Sequence, residues 1–108
     1  LCIQPLVENA VRHGLEDRDS PGTVSITAVE RGGDCWISVE DDGVGNDPDV
    51  IRRSLSGEPG DHVGMANVDE RLRRAFGDDH GLVVETAPMA GTKVTMRVPK
   101  YAEGVVDE

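Results

Sequence analysis

Four short stretches combine residue types that can do chemistry. The first is "VENAVRHG", Val7 to Gly14, which gathers Glu8, Asn9, Arg12 and His13. An amide oxygen beside a carboxylate is a hard donor set. It suits Mg2+, which takes few protein ligands and completes its shell with phosphate oxygens and water. The competing reading is a solvated helix face with a Glu8–Arg12 pair at i,i+4. The second stretch is "VEDDGVGND", Val39 to Asp47, where Asp41, Gly43 and Gly45 spell D-x-G-x-G at the end of an apolar run. Glycines permit close backbone approach, and a buried carboxylate at a strand end can accept a hydrogen bond from an exocyclic amine. The plain alternative is an Asp-Gly turn. The third is "GDHVGMAN", Gly60 to Asn67, a glycine-containing loop running into a helix start. Free backbone N–H groups there suit phosphate oxygens, although no Gly-Lys-Ser/Thr follows as in a Walker loop. The fourth is "AGTKV", which places Gly91 and Thr92 at a turn entering a strand.

The elements that must position these residues follow from periodicity. Ile3, Leu6, Val7, Ala10 and Val11 form one apolar stripe, predicting a helix over 4–14 with Pro5 in its first turn and Gly14 at its end. Residues 15–22 are polar with a Ser-Pro-Gly turn. "TVSITAVE" alternates as a strand that buries Val24, Ile26 and Ala28, "RGGD" is a hairpin turn, and "CWISVE" returns with Cys35, Ile37 and Val39 on one face. The same alternation turns Asp41 to the Val39 face and Asp42 away from it. A short helix is predicted over 48–55, then a loop or lid. "GMANVDERLRRAF" predicts a helix lined by Met65, Val68, Leu72 and Phe76 and ended by Gly77, with Asp69 the one polar residue near the stripe. "GLVVETA" and "TKVTMRVP" are strands joined by the "PMAG" turn; Val94, Met96 and Val98 share a face. Helix, two strands, lid, helix and two strands make a two-layer α/β sandwich with helices covering one face of the sheet.

The 108 residues suit one small domain. The chain opens on Leu1 and passes directly into an amphipathic segment, as expected of a domain excised from a longer protein. No apolar run approaches the ~20 residues that cross a membrane. A net charge of −10 argues against a nucleic-acid partner, which needs a basic stripe. A phosphorylated ligand therefore needs local help from a cation or helix N-termini. Cys2 and Cys35 lack a CxxC pattern; two buried free thiols in a reducing cytosol are the reading preferred over a disulfide. The only aromatics are Trp36, Phe76 and Tyr101, so a base-binding pocket must be mostly aliphatic.

Taken in order, N-x-x-R-H, D-x-G-x-G, H-V-G-M-x-N-V and G-T resemble the boxes of the ATPase superfamily of gyrase, heat-shock chaperone, sensor histidine kinase and mismatch-repair proteins. "CIQPLVENAVRHG" and "NVDERLRRAFG" are similar to the LytS-like group of sensor histidine kinases. The resemblance covers residues 1–99. It implies the Bergerat fold, a mixed and mostly antiparallel sheet under helices, with an ATP lid over 46–63 and a frayed tail over 100–108. It implies a domain that binds ATP and Mg2+ and donates the γ-phosphate to a histidine on a separate dimerisation domain, for a cognate response regulator. Residue by residue, it gives Asn9 to magnesium and Arg12 to the phosphates, with His13 flanking the nucleotide. Asp41 accepts the adenine amino group, supported by Thr92, and Gly43 and Gly45 admit the base. His62, Val63, Gly64 and Met65 offer backbone around the phosphates, and Asn67 lies at that helix start. It also implies a cytoplasmic domain of a membrane-anchored bacterial sensor kinase, with no membrane contact of its own.

Two departures from the family pattern stand out. His62 occupies a position that is commonly glycine. Pro5 stands where many relatives carry an acid or amide, so the water-activating Glu of the hydrolases has no clear counterpart; Glu8, beside Asn9, is the remaining candidate base. Phosphoryl transfer is favoured over hydrolysis accordingly. The alternatives are a hydrolysing clamp of the gyrase or chaperone type and an anti-sigma Ser/Thr kinase of the same fold.

Overall fold

The computed structural model describes residues 3–15, 22–57 and 62–99. Cys2, most of the predicted 15–22 connection, the middle of the predicted lid and the tail from 100 onward lie outside the described residues. Helix α1 spans Gln4–Asn9, with Pro5 in its first turn. It continues as a π-helical turn, Ala10–Leu15. The predicted helix over 4–14 therefore contains two hydrogen-bonding patterns and runs past Gly14. Strands β1 (Val24–Arg31) and β2 (Asp34–Asp41) form a hairpin across Gly32 and Gly33. Helix α2 (Pro48–Leu55) is capped by Asp47, whose carboxylate accepts the Asp49 N–H at 2.9 Å. Helix α3 (Val63–Phe76) leads through Gly77 into a short 3-10 turn, Asp78–His80, which the sequence pattern did not signal. Strands β3 (Val83–Thr86) and β4 (Thr92–Pro99) complete the chain.

The four strands form one antiparallel sheet in the order β1-β2-β4-β3. The expected mixed sheet is antiparallel throughout among the described strands. Its covered face meets Leu6 of α1, Ile51 of α2, and Met65, Val68 and Leu72 of α3. Leu6, Val39, Met65 and Leu72 are the largest fully enclosed side chains. Each is worth about 1.5–3 kcal/mol of transfer free energy. Helix α1 packs on α3, and the π turn packs on β2. The N-terminal helix, the start of α3 and the end of β2 are thus held in one neighbourhood.

The predicted buried face of β1 is not buried. Val24 is half-buried, while Ile26 is 50% exposed and Ala28 is exposed. Alternation says which face a residue takes; cover depends on what lies over it, and β1 is one of the two edge strands of the described sheet. Cys35 is a free thiol and only half-buried. Trp36 lies on the opposite, open face, where the Arg97 guanidinium sits 5.4 Å from its ring centroid.

Candidate functional site

Asp41 is the last residue of β2 and pairs across the sheet with Thr92, the first residue of β4. Register puts it on the core face beside Val39, so it is only 6% exposed. Its Oδ1 accepts the Gly43 N–H at 2.9 Å. Burial pushes the Asp41 carboxyl above its ordinary range, and the neighbouring charges of Asp42 and Glu40 add to this. The Gly43 and Thr92 N–H groups pull it partly back. Among the described residues no cationic side chain pairs with it. A dry carboxylate held only by backbone N–H groups is a strong acceptor for a neutral N–H donor. Asp42 points away as predicted, is exposed, and accepts the Thr23 N–H at 2.9 Å.

The wall beside Asp41 is built by the β3–β4 turn. Thr92 is buried and its hydroxyl meets Thr86 Oγ1 at 2.8 Å. Thr86 Oγ1 also accepts the Asn46 N–H at 2.9 Å and lies 3.1 Å from Gly91 O. The Val44 carbonyl accepts the Met89 N–H. Thr86 thus joins the segment after β2 to both Gly91 and Thr92, a role that sequence spacing did not signal. Two glycines are needed for the protein's own packing. Gly45 (φ 69°) and Gly91 (φ 80°) take left-handed backbone angles, and a Cβ at either would collide with a backbone carbonyl, of Ala87 and of Asp41 respectively.

At α1, Asn9 is half-buried, while Glu8 and Arg12 are exposed. Glu8 accepts the Gln4 side-chain N–H at 2.9 Å; a Glu8–Arg12 pair is not among the described ion pairs. Arg12 and the backbone of His13 lie in the π turn. Such turns, with their i→i+5 bonds, recur at functional sites. The structure brings Asn9 directly to His62: Asn9 Oδ1 and His62 Nδ1 are 3.0 Å apart. His62 is 5% exposed and no side chain caps the N-terminus of α3. Val63 lies in the first turn of α3. A Cβ added at Gly64 would meet only Pro5, at ordinary contact distance, so this glycine is not required by packing among the described residues. The Met65 side chain is core, leaving only its backbone for any ligand, and Asn67 is exposed.

Cavity size alone does not find these residues. A hollow of about 740 Å³ lies between α2 and α3, lined by Arg52, Leu55, Asn67, Asp69 and Arg73 among others, and Asn67 is the one residue in its lining that was expected in the site. A smaller hollow of about 260 Å³ borders the Asp41 backbone, but Thr23, Ser25, Glu40 and Asp42 line it from the open face of the sheet, opposite the Asp41 carboxylate. The buried Asp41 carboxylate, with no cationic side chain beside it among the described residues, is a more specific chemical feature than either hollow. Among the described residues no group of three His, Cys, Asp or Glu side chains could hold a metal. A divalent cation at Asn9 would take its remaining oxygens from phosphate and water, which fits Mg2+.

The sequence matches the family model for "Histidine kinase-, DNA gyrase B-, and HSP90-like ATPase" over residues 1–102. It is 37% identical over 109 aligned positions to the sensor histidine kinase YpdA of Escherichia coli (strain K12), covering 100% of this chain and 19% of that protein. It is 30% identical over 110 positions to the sensor protein LytS of Streptococcus mutans serotype c, covering 98% of this chain and 19% of that protein. Among solved structures, the histidine kinase domain of the Erythrobacter litoralis EL346 blue-light activated histidine kinase superposes with a TM-score of 0.67 at 26% identity, covering 90% of this chain and 41% of that one.

Proposed function

The chain belongs to the histidine kinase-, DNA gyrase B-, and HSP90-like ATPase family, and from that premise we propose that it is the ATP-binding catalytic domain of a sensor histidine kinase. It holds ATP with Mg2+ and presents the γ-phosphate to a histidine on a separate dimerisation domain, from which a response regulator receives it. Residues 1–99 make up this domain, 46–63 its lid and 100–108 a tail, working on the cytoplasmic side of the parent protein. The observation that carries the reading is Asp41, a buried carboxylate with backbone N–H partners and anionic neighbours.

Asp41 accepts the adenine amino group, and Thr92, fixed by Thr86, orients that end of the site. Gly43 and Gly45 leave the entrance free of side chains and admit the base. Asn9 offers its amide oxygen to the cation, Arg12 reaches the phosphates from the π turn, and His13 flanks the nucleotide. The N-terminal amides of α3, at Val63, Gly64 and Met65, face the phosphate oxygens, with His62 and Asn67 on either side. When bound, Mg2+ offsets the negative charge of the phosphate chain. Phosphoryl transfer is chiefly positioning and charge stabilisation. Glu8, exposed and bonded to Gln4, is not poised to activate water. That supports transfer to an acceptor over hydrolysis.

With γ-labelled ATP and Mg2+, label should pass to the parent's added phosphoacceptor domain while the chain itself stays almost unlabelled. Robust labelling of His13, His62 or His80, or steady phosphate release without an acceptor, overturns the reading.

A further inference from the structure

His62 and Asn9 stand 53 positions apart in sequence, yet their side chains meet at 3.0 Å. An amide oxygen carries no proton, so the imidazole must donate from Nδ1. His62 is 5% exposed, which makes the contact a packed one and not a surface encounter. It spans from α1 to the residue immediately before α3. On the reading above, on which this inference rests, the phosphate chain and its cation lie between those same two elements. A direct hydrogen bond across that gap leaves no room for a phosphate between its partners. It also directs a positive N–H at the oxygen that the cation must approach.

We propose that His62 is a gate on the phosphate subsite: its bond to Asn9 closes the site, and a metal-bound nucleotide enters only by breaking it. The base subsite at Asp41 is built by β2, β4 and the β3–β4 turn and does not depend on this bond. His62 therefore discriminates by ligand length. It opposes phosphorylated ligands, which must open the gate, and is indifferent to a ligand that ends at the ribose. Glycine, common at this position in the resembling sequences, would leave such a gate out.

Calorimetry on the intact chain with two probes, Mg2+–ATP and adenosine, tests this. His62→Leu keeps the volume and removes the donor. It should tighten Mg2+–ATP binding about threefold to tenfold, the worth of one hydrogen bond, and leave adenosine unchanged. His62→Gln restores a donor and should return the ratio of the two affinities toward the wild-type value. In the wild-type protein, the His62 imidazole NMR signals should move on adding Mg2+–ATP and stay in place with adenosine. An unchanged ratio in His62→Leu, or imidazole signals that respond equally to both probes, overturns the gate while leaving the functional reading standing. If the wild-type chain bound neither probe, the functional reading itself would fall, and the gate with it.

Discussion

Two aspartates are buried to nearly the same depth, Asp41 at 6% and Asp69 at 4% exposure, and the chain uses them in opposite ways. Asp69 accepts the Leu82 N–H at 2.8 Å through Oδ1 and Arg73 Nε at 3.1 Å through Oδ2. Arg73 in turn donates to the Asp78 carbonyl at 2.7 Å. The carboxylate thereby ties α3 to the residue that enters β3, and both oxygens are occupied by the protein itself. Asp41 has backbone N–H partners at its own turn and on the paired strand β4, and its charged neighbours are Asp42 and Glu40. A buried carboxylate that has found a cation and an N–H is a staple. One surrounded by anions can still gain from a donor that the protein does not supply. Burial alone does not tell a site from a strut; the partners do.

The contrast can be broken most severely at Asp69. Asp69→Ala leaves the Leu82 N–H buried without an acceptor and removes the Arg73 pair, together about 2–4 kcal/mol. For a domain of this size each kcal/mol shifts the melting temperature by roughly 4–8 °C. Thermal unfolding should show a loss on the order of 10–20 °C, while nucleotide affinity measured well below the transition stays within about threefold of wild type, the usual limit for sites that share no partner. A large loss of affinity with unchanged melting would reverse the roles assigned to the two residues.

Asp41→Asn should do the converse. Calorimetry should show ATP binding weakened by about 1.5–3 kcal/mol, the worth of a hydrogen bond to a charged group, with no fall in melting temperature. Unchanged ATP affinity would remove Asp41 from the site.

The smallest effect is in the pH dependence. The folded-state pKa of Asp41 is raised above 3.8, so the folded chain holds this proton more tightly than the unfolded chain. Stability therefore falls as pH rises from 3.8 through the raised value, and the cost persists above it. Asp41→Asn removes that cost. Its stability advantage over wild type, from urea melts across a pH series, should be greatest at neutral pH and shrink as pH falls toward 3.8. An advantage independent of pH would mean that the charge of Asp41 costs the fold nothing.

Much of this was legible in the sequence because it is periodic or local. The span Thr92–Pro99, the helix over Pro48–Leu55 and the inward turn of Asp41 all follow from alternation and capping within a few residues. What escaped depends on distant partners. Asp69 read as a blemish on an apolar stripe because its acceptor role is defined by Leu82, 13 positions on. Thr86 carried no motif, yet it meets Asn46 from 40 positions away. The π turn was not signalled by the apolar stripe, and Val11, which the stripe counted as covered, lies in that turn and is 48% exposed. The Asn9–His62 bond joins two motifs that were each recognised but read separately.

The uncovered edge strand bears on how copies of this chain behave toward one another. β1 presents Ile26 and Val29, each half exposed, along a strand that has no partner on its outer side among the described strands. Such an edge is a template for pairing between molecules. Arg31 at one end of the strand and Glu30 beside it interrupt the apolar sequence, and a net charge of −10 makes each copy repel the next. The acidity that gives no help in attracting ATP thus acts as colloidal protection. That protection weakens with added salt, which screens it, and disappears as pH nears the isoelectric point of about 4.6. Storage conditions far from both keep the strand solitary.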